Sequence, residues 1–162
     1  MKKIGEYIVN RKQVCKIEDI VTSRGKTYYS LAPIGDKTLK IKVPVDSTLL
    51  RDLITKEELE KLLLDIPSID AIDDTDKMIE NKYKELLKSG THADLVKVIK
   101  TTYLRNKRRA ENNKKLSEKD NDYNKRAEKY FYNEISVILG LNFDKTKEYI
   151  HKRLEEIDGS TK

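Results

Sequence analysis

The chain has no tryptophan, one cysteine, three prolines, six glycines, two histidines and two phenylalanines in 162 residues. The lone Cys15 excludes an internal disulfide and most cysteine metal sites; its place in an alternating run makes it a small half-buried hydrophobe. No run of about 18 apolar residues occurs, so no membrane-crossing helix is expected. The basic start Met1-Lys2-Lys3 meets Glu6 without the apolar stretch of a secretion signal, which points to the cytoplasm. Catalytic groupings are missing too. Ser23-Arg24-Gly25-Lys26-Thr27 ends like a phosphate loop, but Ile20 stands where that motif needs its first glycine. His92 and His151 are too far apart in sequence to suggest a metal pair, the first fitting a helix's first turn and the second an exposed helical face. Asp70, Asp73, Asp74 and Asp76 lack the glycine and distal glutamate of a calcium loop. No nucleophile has a base beside it. The sequence therefore indicates no enzyme, no catalytic residue, no metal, no cofactor and no small-molecule substrate.

What the chain has in abundance is charge, in blocks. Charged residues make up 38% and hydrophobic residues 37%, with a formal net charge of +6. Residues 1–45 hold 10 basic and 4 acidic side chains, residues 46–80 hold 4 and 11, and residues 97–130 hold 12 and 5. Two basic blocks flanking an acidic one suggest two contact surfaces rather than one active site, with nucleic acid the leading polyanionic partner.

The structural period changes with the charge. Glu6 to Val9, Val14 to Val21, Thr27 to Ala32 and Thr38 to Val43 are short β-branched or aromatic runs, separated by turn residues such as Arg24-Gly25 and Gly35-Asp36. A short fifth strand near Leu50 to Leu53 would close a small barrel, with Leu39, Ile41 and Val43 inward and Lys40 and Lys42 outward; Pro44 ends ladder pairing. After Ile54 the period becomes 3.6. Thr55 and Glu58 form a capping box ahead of Leu59, Leu62, Leu63 and Ile66, and Pro67 stops that helix. A second helix carries Ile79, Tyr83, Leu86 and Leu87 up to Gly90, and a third, capped by Thr91, buries Leu95, Val96, Ile99 and Tyr103. The longest opens at Ser117 and runs through Tyr123, Ala127, Tyr130, Phe131, Ile135 and Ile138 to Gly140; a last one holds Ile150, Leu154 and Ile157. The expected class is α+β in two domains, a β domain over residues 1–54 and an all-α domain of about five helices over 55–158, with a disordered tail at 159–162. The two domains read as separable.

Several segments carry a resemblance. Ile4-Gly5-Glu6-Tyr7-Ile8-Val9, Val14-Cys15-Lys16-Ile17, Tyr28-Tyr29-Ser30-Leu31 and Ile41-Lys42-Val43-Pro44-Val45-Asp46 resemble the RNA-polymerase-interacting domain of the CarD/CdnL family of bacterial transcription regulators. In the second half, Leu87-Lys88-Ser89-Gly90, Leu95 to Ile99 with Tyr103-Leu104-Arg105, Lys115-Leu116-Ser117 and Lys125-Arg126-Ala127-Glu128 are similar to that family's helical domain, in the same order. The likeness covers roughly residues 1–155.

The resemblance implies a Tudor-like (SH3-like) N-terminal barrel that binds the RNA polymerase β subunit, partly by strand addition. It also implies a helical domain that lies on promoter DNA and stabilises the open complex, in a cytoplasmic protein associated with the nucleoid through polymerase. Lys42 falls where the family presents a basic residue to polymerase, Arg24 lies within one residue of another, and Lys40 and Pro44 flank the first. Lys40 and Lys42 can also be read as edge-strand gatekeepers against aggregation. Clustering of basic charge nominates Lys77, Lys82, Arg105, Arg108, Arg109, Lys119, Lys125 and Arg126 as DNA-facing, with largely sequence-nonspecific, salt-sensitive binding. The family's tryptophan wedge is missing. Ile72 and Met78 are the apolar candidates to replace it, although a place in the helix core is the stronger reading for Met78. The alternative is a protein-only adaptor on polymerase, its basic helices merely solvated.

Overall fold

The computed structural model describes residues 1–36 and 38–160, with side chains through Asp158. Five strands come first: β1 (Tyr7–Asn10), β2 (Gln13–Ser23), β3 (Lys26–Pro33), β4 (Ile41–Pro44) and β5 (Leu50–Arg51). They form one antiparallel sheet in the order β4-β3-β2-β1-β5, which agrees with the α+β expectation. Period-2 patterning sets the faces: in β4, Ile41 is half-buried, Lys42 exposed, Val43 buried and Pro44 exposed. Ile8, Cys15, Ile17, Tyr29, Leu31 and Val43 make the sheet's own apolar cluster.

Two expectations for this half need correction. The sheet is open: β5 is only two residues long and, among the described residues, pairs with β1 alone, while β4 pairs with β3 alone. Leu39 does not point inward; it is exposed and precedes the strand. The cause is local. The Asp36 carboxylate accepts from the Thr38 hydroxyl at 2.7 Å and the Thr38 N–H at 3.1 Å, a side-chain turn that competes with ladder pairing.

Five α-helices follow, α1 (Lys56–Asp65), α2 (Asp76–Ser89), α3 (His92–Glu111), α4 (Glu118–Leu139) and α5 (Phe143–Ser160), with a short 3₁₀ turn at Ile66–Ser68. The Thr55/Glu58 capping box forms, and Thr75, Thr91 and Ser117 cap α2, α3 and α4 through their side chains. Gly90 ends α2 at φ 66°, in the left-handed region where a Cβ is costly. The helical core includes Leu59, Leu63, Ile79, Tyr83, Leu95, Val98, Phe131, Ile135 and Ile150, and the Tyr83 and Tyr123 rings meet at a tilt of 41° with centroids 5.2 Å apart.

Two core assignments fail. Tyr103 is 60% exposed, because α3 turns Val98, Thr101 and Thr102 inward instead. The small threonines allow a close approach, and the Thr102 hydroxyl is satisfied by Val98 O within its own helix at 2.9 Å. Met78 is also outside the core, at 47% exposure. The helix α5 continues to Ser160, past the expected start of the disordered tail at residue 159; residues 161–162 lie outside the described residues.

Sheet and helices meet at a charged junction. The carboxylate of Glu134, 2% exposed, accepts from Arg51 Nη2 at 2.7 Å, Arg51 Nη1 at 3.0 Å and the Ile54 N–H at 2.8 Å. His92 Nε2 lies 3.0 Å from the same carboxylate. Nearby, Lys12 in the β1–β2 turn donates to Leu87 O at 2.7 Å and lies over the Tyr130 ring at 5.5 Å. The β unit and the helical unit are thus tied through side chains from β5, the β1–β2 turn, α3 and α4, and through a main-chain carbonyl of α2.

Candidate protein and nucleic-acid interfaces

Strand β4 ends the sheet, so one side of its backbone has no strand partner among the described residues. Val45 N–H bonds Thr27 O, which fixes the parity: Ile41 and Val43 turn their backbone groups to β3, and Lys42 and Pro44 turn theirs to the open side. Pro44 has no N–H, so the open edge offers one fewer donor at its end. Lys42 is exposed and its ammonium lies 5.9 Å from the Tyr28 ring centroid. Lys40 is engaged instead, in an ion pair with Glu18 on β2. Arg24 sits exposed in the β2–β3 turn at φ 51°, remote in sequence from β4. Of the four residues nominated for polymerase, Lys42 and Pro44 thus share one strand edge.

The basic helical candidates divide by what holds them. Lys82 pairs with Asp74 at 3.7 Å and Lys119 with Glu80 at 2.6 Å. Arg126 lies over the Tyr123 ring at 5.1 Å. Arg105 is clamped between two carboxylates: its Nε donates to the buried Asp120 at 2.8 Å and its Nη2 to the exposed Asp76 at 2.6 Å. Burial opposes the Arg105 charge, but those two hydrogen bonds outweigh it and raise the pKa further. Asp76 is held below the usual carboxylate range by the Arg105 hydrogen bond first and its charge second, with Arg109 and Lys114 adding. Lys77 and Lys125 are exposed, on the first turn of α2 and mid-α4.

Arg105, Arg108 and Arg109 do come together, as the shared face of α3 suggests. With Asp76, Asn112 and Lys114 they line a cleft of about 160 Å³ between the start of α2 and the α3–α4 turn. Arg109 Nε is tied to Lys115 O at 2.9 Å. Asn112 and Lys114 were not legible as members, since the turn that folds them back depends on Asn113 at φ 57°. The acidic role of Asp76 was equally hidden, because α2 and α3 meet there only in three dimensions.

The two wedge candidates exchange roles. Ile72 is half-buried against the helical core, and its N–H donates to Thr101 Oγ1 at 2.9 Å. Its segment is pinned again where Lys100 Nζ bonds Ile69 O at 2.7 Å. Met78, two residues beyond cleft-lining Asp76, projects from the first turn of α2 with Lys77 beside it. No protein-family model matches the chain, and no curated protein matches it.

Proposed function

We propose that this chain is a two-module bacterial transcription regulator of the CarD/CdnL kind. Its N-terminal unit, read as Tudor-like, binds the RNA polymerase β subunit, and its helical unit holds promoter DNA through phosphate contacts and stabilises the open complex. The observation that carries the reading is the open β4 edge, where Lys42 stands exposed on a strand able to accept another strand. The exposed Lys77 and Lys125 supply positive charge for the DNA half of the proposal. Co-elution of the purified protein with the isolated β-subunit lobe tests it, and failure to co-elute removes its central claim. Lys42→Glu should weaken that binding by about tenfold with an unchanged melting temperature, because the side chain is exposed and a reversed charge at an interface acts on association. Unchanged affinity would return Lys42 to the gatekeeper role.

A specific observation favours a second reading. Lys82, Arg105 and Lys119, all nominated for DNA, already have carboxylate partners. That internal neutralisation suits a protein-only adaptor, for which retention on polymerase would come without any effect on promoter DNA.

A further inference from the structure

The cleft at the α3–α4 turn has a more specific chemistry than a general basic face. Arg105 has its charge matched from behind by Asp120, whose side chain is 2% exposed. Among the described residues that line the cleft, Arg108, Arg109 and Lys114 face one carboxylate, Asp76, so two positive charges remain in surplus within about 160 Å³. A DNA phosphodiester carries one negative charge; a terminal phosphate carries close to two near neutral pH. The charge and volume therefore match a phosphomonoester better than a passing duplex backbone.

The geometry of Asp76 adds a second argument. Its Oδ1 sits 2.6 Å from Arg105 Nη2, marking where an anionic oxygen is accepted. Carboxylate and phosphate oxygens are equivalent acceptors for a guanidinium. Asp76 is 79% exposed and has water to turn into, whereas Arg105 is 20% exposed and fixed through Nε to Asp120. The acceptor is replaceable and the donor is preorganised, the arrangement that keeps the ordering cost of binding low.

We propose that this cleft binds a doubly charged phosphate group carried by a small phosphorylated molecule such as a nucleotide, with Arg105, Arg108, Arg109 and Lys114 as its donors and Asp76 as the internal group it displaces. This site does not depend on polymerase or DNA binding by the same chain.

Titration calorimetry with inorganic phosphate and AMP at low salt, beside a fluorescence titration with a short DNA duplex, tests the proposal on the full chain. AMP should bind, and the double variant R108A/K114A should weaken it at least about tenfold, since hydrogen bonds to charged groups are lost. Asp76→Asn should tighten binding about threefold by removing a competing exposed charge. Thermal melts of each variant check that the fold persists, and Asp76→Asn, whose effect is a gain, remains informative if the double variant is unstable. Loss of AMP binding in R108A/K114A supports the proposal whatever happens to the duplex. Absence of AMP and phosphate binding up to about 10 mM, an affinity weaker than about 3 kcal/mol, overturns it. So does a double variant that loses the duplex alone, which would make the cleft a DNA-backbone site.

Discussion

Glu134→Gln should lower stability at neutral pH by about 3 kcal/mol, the low end of what removing one partner of a buried ion pair costs. The low end applies because Arg51, 36% exposed at its side chain, keeps some water when its partner goes. Burial pushes the Glu134 carboxyl upward, but hydrogen bonds from His92 and Arg51, the His92 charge and the Ile54 N–H bring it down to about 2, against 4.5 in the unfolded chain. A depressed folded-state pKa contributes stability that is fully present above pH 4.5 and is lost as pH falls toward 2. The wild-type protein should therefore lose about 3 kcal/mol from this group between about pH 5 and pH 2, and the glutamine variant should lack that component. Urea unfolding of both proteins at pH 7, 4, 3 and 2 reads the difference, which isolates Glu134 from the other carboxylates. Parallel pH curves would show that the junction contributes no charge-dependent stability.

The consequence reaches domain organisation. Glu134 belongs to α4, yet its partners Arg51 and Ile54 lie at the end of the β unit. Cutting the chain after residue 54 would leave a helical fragment with a buried carboxylate that keeps His92 and loses Arg51 and the Ile54 N–H. The two apolar clusters divide between sheet and helices, the boundary between them falling after Leu50 and before Ile54, which packs in the helical one. A clean change of period from 2 to 3.6 made that boundary legible, as did the Thr55 capping box. The coupling across it was harder to read. Glu134 occupies a core position of the stripe formed by Ala127, Phe131 and Ile138, so a charge on the apolar face was visible in sequence. Its partners were not, since Arg51 lies 83 residues away.

The same limit explains the site. Helix spacing put Arg105, Arg108 and Arg109 on one face, but Asp120 and Asp76 take up Arg105 only once α2, α3 and α4 are packed. Strand alternation exposed Lys42 correctly, whereas Lys40 found Glu18 across the sheet. Periodicity fixes which way a side chain points from its own element. It says nothing of which charge from another element meets it, and that decides how much of a basic surface remains for a partner.

Met78 and Ile72 bear the last expected result. If the helical unit inserts an apolar side chain where the duplex opens, Met78→Ala should shorten open-complex lifetime by roughly tenfold, because half of an unstacking cost of a few kcal/mol is lost. Its stability should change little, since the side chain is already 47% exposed and leaves no cavity. Ile72→Ala should do the reverse. It removes atoms packed against the helical core, so stability should fall by roughly 1–2 kcal/mol, less than for a fully buried isoleucine. Any effect of Ile72→Ala on open complexes should then vanish when the temperature is lowered enough to keep the variant folded. Lifetime on a supercoiled promoter and thermal melting separate the four outcomes. A silent Met78 with a lifetime that still falls steeply with salt would leave phosphate contacts as the sole means of holding DNA. A silent Met78 with no salt dependence would take DNA out of the mechanism, and the exposed methionine, next to Lys77 on the first turn of α2, would then be a contact for protein.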